Sequence, residues 1–160
     1  MAVNRLWLDD LVEEEFALIA IHCSAEVYRV VYNLNKILGI SLQRQPTDVD
    51  YSYPEGLAFY ELYNYYSEVE GCDYYLVSNK FKIKTNHLQS QGFLFEDETK
   101  KTVNLLPDFK NVDCFLKIED NTGVVNIKKL LLEINKINQI VTAYEVELNQ
   151  LKTIENLIFS

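Results

Sequence analysis

What this sequence lacks says more about it than most of what it holds. It contains no nucleophile–base set, no metal-ligand spacing and no phosphate-binding glycine loop, so the usual marks of catalysis are missing. There are three cysteines, Cys23, Cys72 and Cys114. Their odd number, wide spacing and lack of a CxxC pair argue against a disulfide framework or a zinc site, and for reduced thiols in a cytosolic protein. Two of them read as small core residues in strands. Long apolar runs are also missing. The longest near the N-terminus, Phe16 to Ile21, is far too short to span a bilayer, and Glu13, Glu14 and Glu15 precede it where a signal peptide carries positive charge. The expectation is a cytoplasmic protein without membrane association.

Positive charge is scarce as well. The formal net charge is −9, and from Gln45 to Asn79 there is no lysine or arginine at all. The acids gather at Asp9, Asp10, Glu13, Glu14 and Glu15 and again between Asp48 and Asp73. Such a surface repels phosphate backbones, so nucleic acid is not an expected ligand. Asp48, Asp50 and Glu55, or Glu96-Asp97-Glu98, supply oxygen atoms, but neither set follows the EF-hand spacing, and solvated acidic loops are the safer account. No metal and no cofactor are expected.

What the chain does have is tyrosine. Eight of its eleven tyrosines fall between Gln45 and Asn79, together with seven acids. Stacking platforms for bases would need neighbouring cations, and the neighbours here are Glu55, Glu61, Glu68 and Glu70. Two readings remain. The rings serve as packing, or they anchor a protein interface, which favours rigid amphipathic side chains.

One domain is expected over residues 1–160, with a polar excursion at about 83–108. Phe16 to Ile21 is apolar at every position, as in a strand buried on both faces. Val27, Val30, Val31, Leu34, Ile37 and Leu38 then recur at helical spacing, with Ser24 as N-cap and Gly39 as the stop. Ile40 to Arg44 alternates as a strand. Leu57 to Ser67 and Tyr74 to Phe81 read as a hairpin, with apolar side chains on both parities. Val112 to Glu119 is a strand, and Ile127, Leu130, Leu131, Ile134 and Ile137 form the stripe of a second helix. Ile140 to Glu147 closes the pattern, and the tail from Leu148 docks as a helix or an extended cover. The result is an α+β fold, a mostly antiparallel sheet with two main helices on one face, in the order β-α-β-β-β-β-α-β and partly ferredoxin-like.

Three segments carry a resemblance to a known family. Tyr75-Leu76-Val77-Ser78-Asn79-Lys80, the run from Leu105 to Leu116, and Lys152 to Phe159 resemble the IPExxxVDY family, uncharacterised proteins found mainly in Bacteroidota. If the naming motif starts at Ile137, Asn138-Gln139 stands in the place of Pro-Glu and Ala143-Tyr144-Glu145 in the place of Val-Asp-Tyr. If it ends at Val49-Asp50-Tyr51, Gln43-Arg44-Gln45 stands in the place of Ile-Pro-Glu. The resemblance implies a bacterial source and no particular activity.

The best chemical location is His22-Cys23-Ser24, where a strand runs into a helix and free amide N–H groups favour a thiolate. With no acid nearby in sequence to orient His22, packing and capping are the preferred account, and an enzyme using Cys23 or His22 is the least favoured class. The expectation is a non-enzymatic domain that binds a protein partner or itself, a homodimer being one form, through the tyrosine-rich acidic hairpin. Tyr60, Tyr63, Tyr65, Tyr66, Ser78, Asn79 and Lys80 are the interaction candidates, with a second subunit the favoured cover for the aromatic face. A regulatory domain that senses a small molecule is the alternative, and its pocket should include Asn79 and Lys80.

Overall fold

The computed structural model describes residues 16–85 and 99–159. Among them the fold is α+β, with ten strands and two α-helices. The central sheet is built from β1 (Ala17–Cys23), β2 (Gln43–Arg44), β5 (Leu62–Ser67), β6 (Cys72–Ser78), β9 (Cys114–Asp120) and β10 (Ile140–Val146). Its order is β10-β1-β9-β6-β5-β2, with every neighbouring pair antiparallel. Leu18, Ile19, Ala20 and Ile21 of β1 are fully buried between β10 and β9, as their unbroken apolar run requires.

Helices α1 (Val27–Leu38) and α2 (Ile127–Ile134) cover one face of the sheet. Val30, Val31 and Leu34 of α1 and Leu130 and Ile134 of α2 pack on Ile19, Ile21, Leu76, Cys114, Leu116 and Ile118. Leu131 is only half-buried. Gly39 ends α1 in the left-handed conformation at φ 65°, which a side chain would strain. Ser24 does not cap this helix. Its N–H donates to Gln139 O (2.9 Å), and Glu26 holds the cap position without a side-chain bond, because β1 runs on to Cys23 and shifts the helix start. Asn126 does cap α2, accepting from the Lys129 N–H (3.1 Å).

The order of elements is longer than the sequence pattern suggests. The stretch Leu57 to Ser67 is not one strand. It breaks at Glu61, and β4 (Gly56–Tyr60) turns away to pair with β3 (Val49–Tyr53) as a separate hairpin. Apolar residues on both parities therefore have a simple cause: the two halves belong to different sheets. Likewise Phe81 leaves β6 and enters β7 (Lys80–Thr85), which pairs with β8 (Thr99–Asn104), so part of the polar excursion is an ordered hairpin. Gly92 to Phe95, the Glu96-Asp97-Glu98 cluster and His87 lie outside the described residues. Gly56 permits the two hairpins to meet, since its φ is 146° and a Cβ there would sit 3.3 Å from Ile83 Cγ2.

The β3–β4 and β7–β8 hairpins, with the tail, cover the face opposite the helices. Leu18, Ala20, Leu62, Val77 and Phe115 of the sheet pack against Ala58, Tyr60, Ile83, Val103, Leu105, Leu106 and Leu157. The tail docks through 3-10 turns at Leu148–Gln150 and Ile154–Leu157 and is held by a buried cation. Lys117 is 2 % exposed. Its Nζ donates to Leu157 O (2.9 Å), pairs with Glu119 (2.7 Å) and lies over the rings of Phe16, Tyr75 and Phe159. The open aromatic face that motivated a second subunit is thus largely closed by the chain's own hairpins and tail.

Where β6 turns into β7, Asn79 is fully buried and uses every hydrogen-bonding group it has. Its N–H donates to Asp113 O (2.9 Å) and its C=O accepts from Leu105 N–H (2.9 Å). Its Nδ2 donates to Phe109 O and Val112 O (both 2.8 Å), and its Oδ1 accepts from Leu106 N–H (2.9 Å). Replacing Asn79 with Ala strands two buried backbone groups, Val112 O and Leu106 N–H, since Phe109 O still accepts from Val112 N–H, and should cost about 3 kcal/mol. In thermal unfolding this appears as a fall of roughly 10 °C in Tm. A Tm within a degree or two of the unmodified protein would show that the corner is held by other contacts.

Candidate functional site

Two places in the fold gather polar chemistry, at opposite ends of the central sheet. At one end β5 meets β6 in a hairpin whose turn carries Glu68, Val69 and Glu70. Cross-strand register sets Tyr66, Asp73 and Glu119 side by side on the face away from the helices. Tyr66 is 53 % exposed and Val69 98 % exposed. On the helix side of the same end, a groove of about 460 Å³ opens between the end of α1 and the start of α2, with Tyr65 and Tyr74 along one wall and Glu70, Asn126, Lys129 and Glu133 around it. Tyr74 Oη donates to Glu70 Oε2 (2.8 Å).

The candidate residues separate between these places. Tyr66 reaches solvent, and Tyr65 is half-buried in the groove. Tyr63 is buried on the helix side, its hydroxyl donating to Glu61 Oε2 (3.2 Å) and its ring beneath Arg44. Tyr60 is fully buried on the other face, in a hydrogen bond with Tyr53 Oη (2.8 Å), which in turn donates to Asn104 O (2.9 Å). Tyr60 and Tyr63 are therefore packing residues, placed on opposite faces because Glu61 lies between two hairpins. Asn79 is the internal clamp already described and is not among the residues that line this groove. Ser78 is buried, its Oγ accepting from Glu61 N–H (2.9 Å).

At the other end of the sheet, Ser78 and Lys80 share a depression with Cys23, a grouping that no local pattern signals. A depression of about 470 Å³ is lined by Cys23, Ser24, Val27, Arg29, Lys80 and Asp113, with Ser78 at its edge. Asp113 organises it. Its Oδ2 accepts from Cys23 N–H (2.8 Å), its Oδ1 from Lys80 Nζ (3.0 Å), and its own N–H donates to Ile21 O (3.0 Å). Asp113 reaches the Cys23 backbone from ninety residues away along the chain and does not orient His22. His22 points elsewhere, sharing a hydrogen bond with exposed Tyr144 Oη (3.0 Å), so His22 and Cys23 do not form a nucleophile–base pair.

Sequence reasoning also passed over Tyr28 and Tyr32, which are exposed on the outer face of α1, with Arg29 lying over the Tyr28 ring. Their i, i+4 spacing on the side opposite Val27, Val30 and Leu34 was the available signal. Among the described residues no cluster of His, Cys, Asp and Glu is arranged to hold a metal ion. Asp48 is instead paired with Arg44, and Glu55 with Lys101. No helix of the described residues is long and apolar enough to cross a membrane. No family model, curated protein or solved structure matches the chain.

Burial acts on several acidic groups of the interior. It pushes the Cys72 thiol up to about 12, and it raises the phenols of Tyr60 and Tyr74 above their ordinary value. In each case the unfolded chain releases the proton more readily. The stability these groups contribute is whole below the ordinary values of 9.0 for the thiol and 10.0 for the phenols, and is lost as pH rises toward the folded values. Urea midpoints should therefore fall above pH 9, and the phenolate absorbance of Tyr60 and Tyr74 should emerge only with unfolding. Full ionisation of all eleven tyrosines at an unchanged midpoint would contradict the burial of these rings.

Proposed function

We propose that this is a non-enzymatic cytosolic domain that works by binding a protein, with the outer end of the β5–β6 hairpin as its contact surface. The observation that carries the reading is the exposure of Tyr66 and Val69 among Glu68, Asp73 and Glu119, while Lys117, the partner of Glu119, is turned into the core. An aromatic and an aliphatic anchor rimmed by one sign of charge suit a partner surface with a complementary basic rim. Self-association through this same end would set like charges against each other, so a separate basic partner is favoured over a homodimer. The cytosolic placement is supported by the three free cysteines.

A second reading, the sensing of a small molecule, is favoured by the groove beside Tyr65 and Tyr74. Asn79 and Lys80, expected to line such a pocket, lie at the other end of the sheet. A ligand that raises the Tm of the unmodified protein but not that of a Leu38→Trp variant, with the groove filled, would favour this alternative.

Affinity purification from the native cell, run in parallel with the unmodified protein and a Tyr66→Ser, Val69→Ser double variant, tests the proposal. One protein should be retained by the first, released by salt, and held about thirtyfold more weakly by the second, the loss of about 2 kcal/mol that anchor residues carry. Equal retention by both proteins would place the contact elsewhere.

A further inference from the structure

The depression around Asp113 holds a second feature, independent of the hairpin end. Cys23 and Cys114 lie on the same face of neighbouring strands. The ladder between β1 and β9 ends at the pair Ile21 and Cys114, and Cys23 is two residues beyond. At that point β1 has parted from β9 but stays paired with β10, where its register shifts between His22 and Cys23, and the Cys23 N–H goes to the Asp113 carboxylate. Cys23 packs there on the core cluster that contains Cys114, which sets the two side chains near each other on the helix side of the sheet.

Their surroundings differ in the way a reacting pair requires. Cys114 is fully buried, whereas Cys23 is half-buried and lines the open depression. As a thiol, Cys23 donates to Ala25 O (3.3 Å). As a thiolate it accepts a hydrogen bond from Cys114, which lowers its pKa, helped by the charge of Lys80 and opposed by burial and by Asp113. The same contact, with burial, holds Cys114 well above the ordinary thiol value. Cys72, buried beside Asp120 and Glu70, has no share in this arrangement.

We propose that Cys23 and Cys114 form a redox-active dithiol site that reacts with hydroperoxides, Cys23 as the attacking sulfur and Cys114 as the resolving one. The Cys23 thiolate attacks a peroxide oxygen. An S–O bond forms as the O–O bond breaks, and with one proton from solvent the products are a Cys23 sulfenic acid and water or an alcohol. The Cys114 sulfur then attacks the Cys23 sulfur. The S–S bond forms, the S–O bond breaks, and hydroxide leaves as water with the Cys114 proton. For hydrogen peroxide the sum is two thiols and one peroxide giving one disulfide and two waters. A dithiol reductant reverses the change by exchange. Closing the two sulfurs to about 2.05 Å asks for side-chain rotation, at a strand end already released from its ladder with β9.

The test uses the unmodified protein, a small molar excess of hydrogen peroxide, alkylation and peptide mass analysis. The expected product is lighter by two hydrogens, carries a Cys23–Cys114 linked peptide pair, keeps Cys72 as a thiol and returns to its starting mass with dithiothreitol. A Cys114→Ser variant should leave Cys23 as a sulfenic acid that dimedone traps, and Cys23→Ser should leave Cys114 reduced. If the Cys114→Ser variant does not fold, the linked peptide in the unmodified protein decides alone. Oxidation of Cys23 to a sulfinic acid without a link, a link to Cys72 or between two chains, or three unreacted thiols would overturn the proposal.

Discussion

The corner at Asn79 is the constraint on which both faces of the molecule depend. Asn79 ends β6, and its N–H bonds to Asp113 O, which fixes where β9 begins. Its carbonyl and side chain fix Leu105, Leu106, Phe109 and Val112, the stretch that brings the β7–β8 hairpin back to the sheet. Without that anchor, Leu105 and Leu106 would lose their place over Phe115, and the cover on the non-helical face would have no fixed attachment. Asp113 is set by the same contact, and through it the position of Cys23 and Lys80. One buried amide therefore positions a hydrophobic layer and a polar depression together.

The same chemistry recurs at two other corners. Asn35 accepts from Leu42 N–H (2.8 Å) and donates to Leu42 O (3.2 Å), joining α1 to the chain that enters β2. Asn135 accepts from Ala143 N–H (3.0 Å) and donates to Ala143 O (3.1 Å), joining the end of α2 to β10. In each case a side-chain amide substitutes for a peptide group and satisfies a donor and an acceptor where the regular ladder or helix has ended. No buried side-chain nitrogen or oxygen among the described residues is left without a partner. Lys117 follows the same rule with a charge, buried only because a carbonyl, a carboxylate and three rings surround it.

This explains which parts of the fold the sequence disclosed. β1, the core stripe of α1, and the β5–β6 pairing follow from periodicity and composition, which are local signals. The breaks at Glu61 and Asn79 do not: glutamate is no turn former, Ser78-Asn79 is turn-forming but sits in a run that reads on to Phe81 as one strand, and both bends are enforced by partners distant in sequence. The tyrosines misled for a related reason. Composition marked them as one surface, while Tyr60 and Tyr63 fill opposite layers and only the outer end of the hairpin keeps Tyr66 exposed. Cys23 was recognisable as a chemical location from the strand-to-helix junction. Its neighbours Asp113, Lys80 and Cys114 were not, since sheet order alone unites them.

The claim that Asn79 holds both layers is tested most directly by native-state hydrogen exchange. The amides of Asn79, Leu105, Leu106 and Asp113 should exchange only through global unfolding, with the same free energy as the β1 amides of Ile19 and Ile21. Exchange of Leu105 and Leu106 through a separate, lower-energy opening while β1 stays protected would contradict the account, and would show the hairpin cover to be an independent unit.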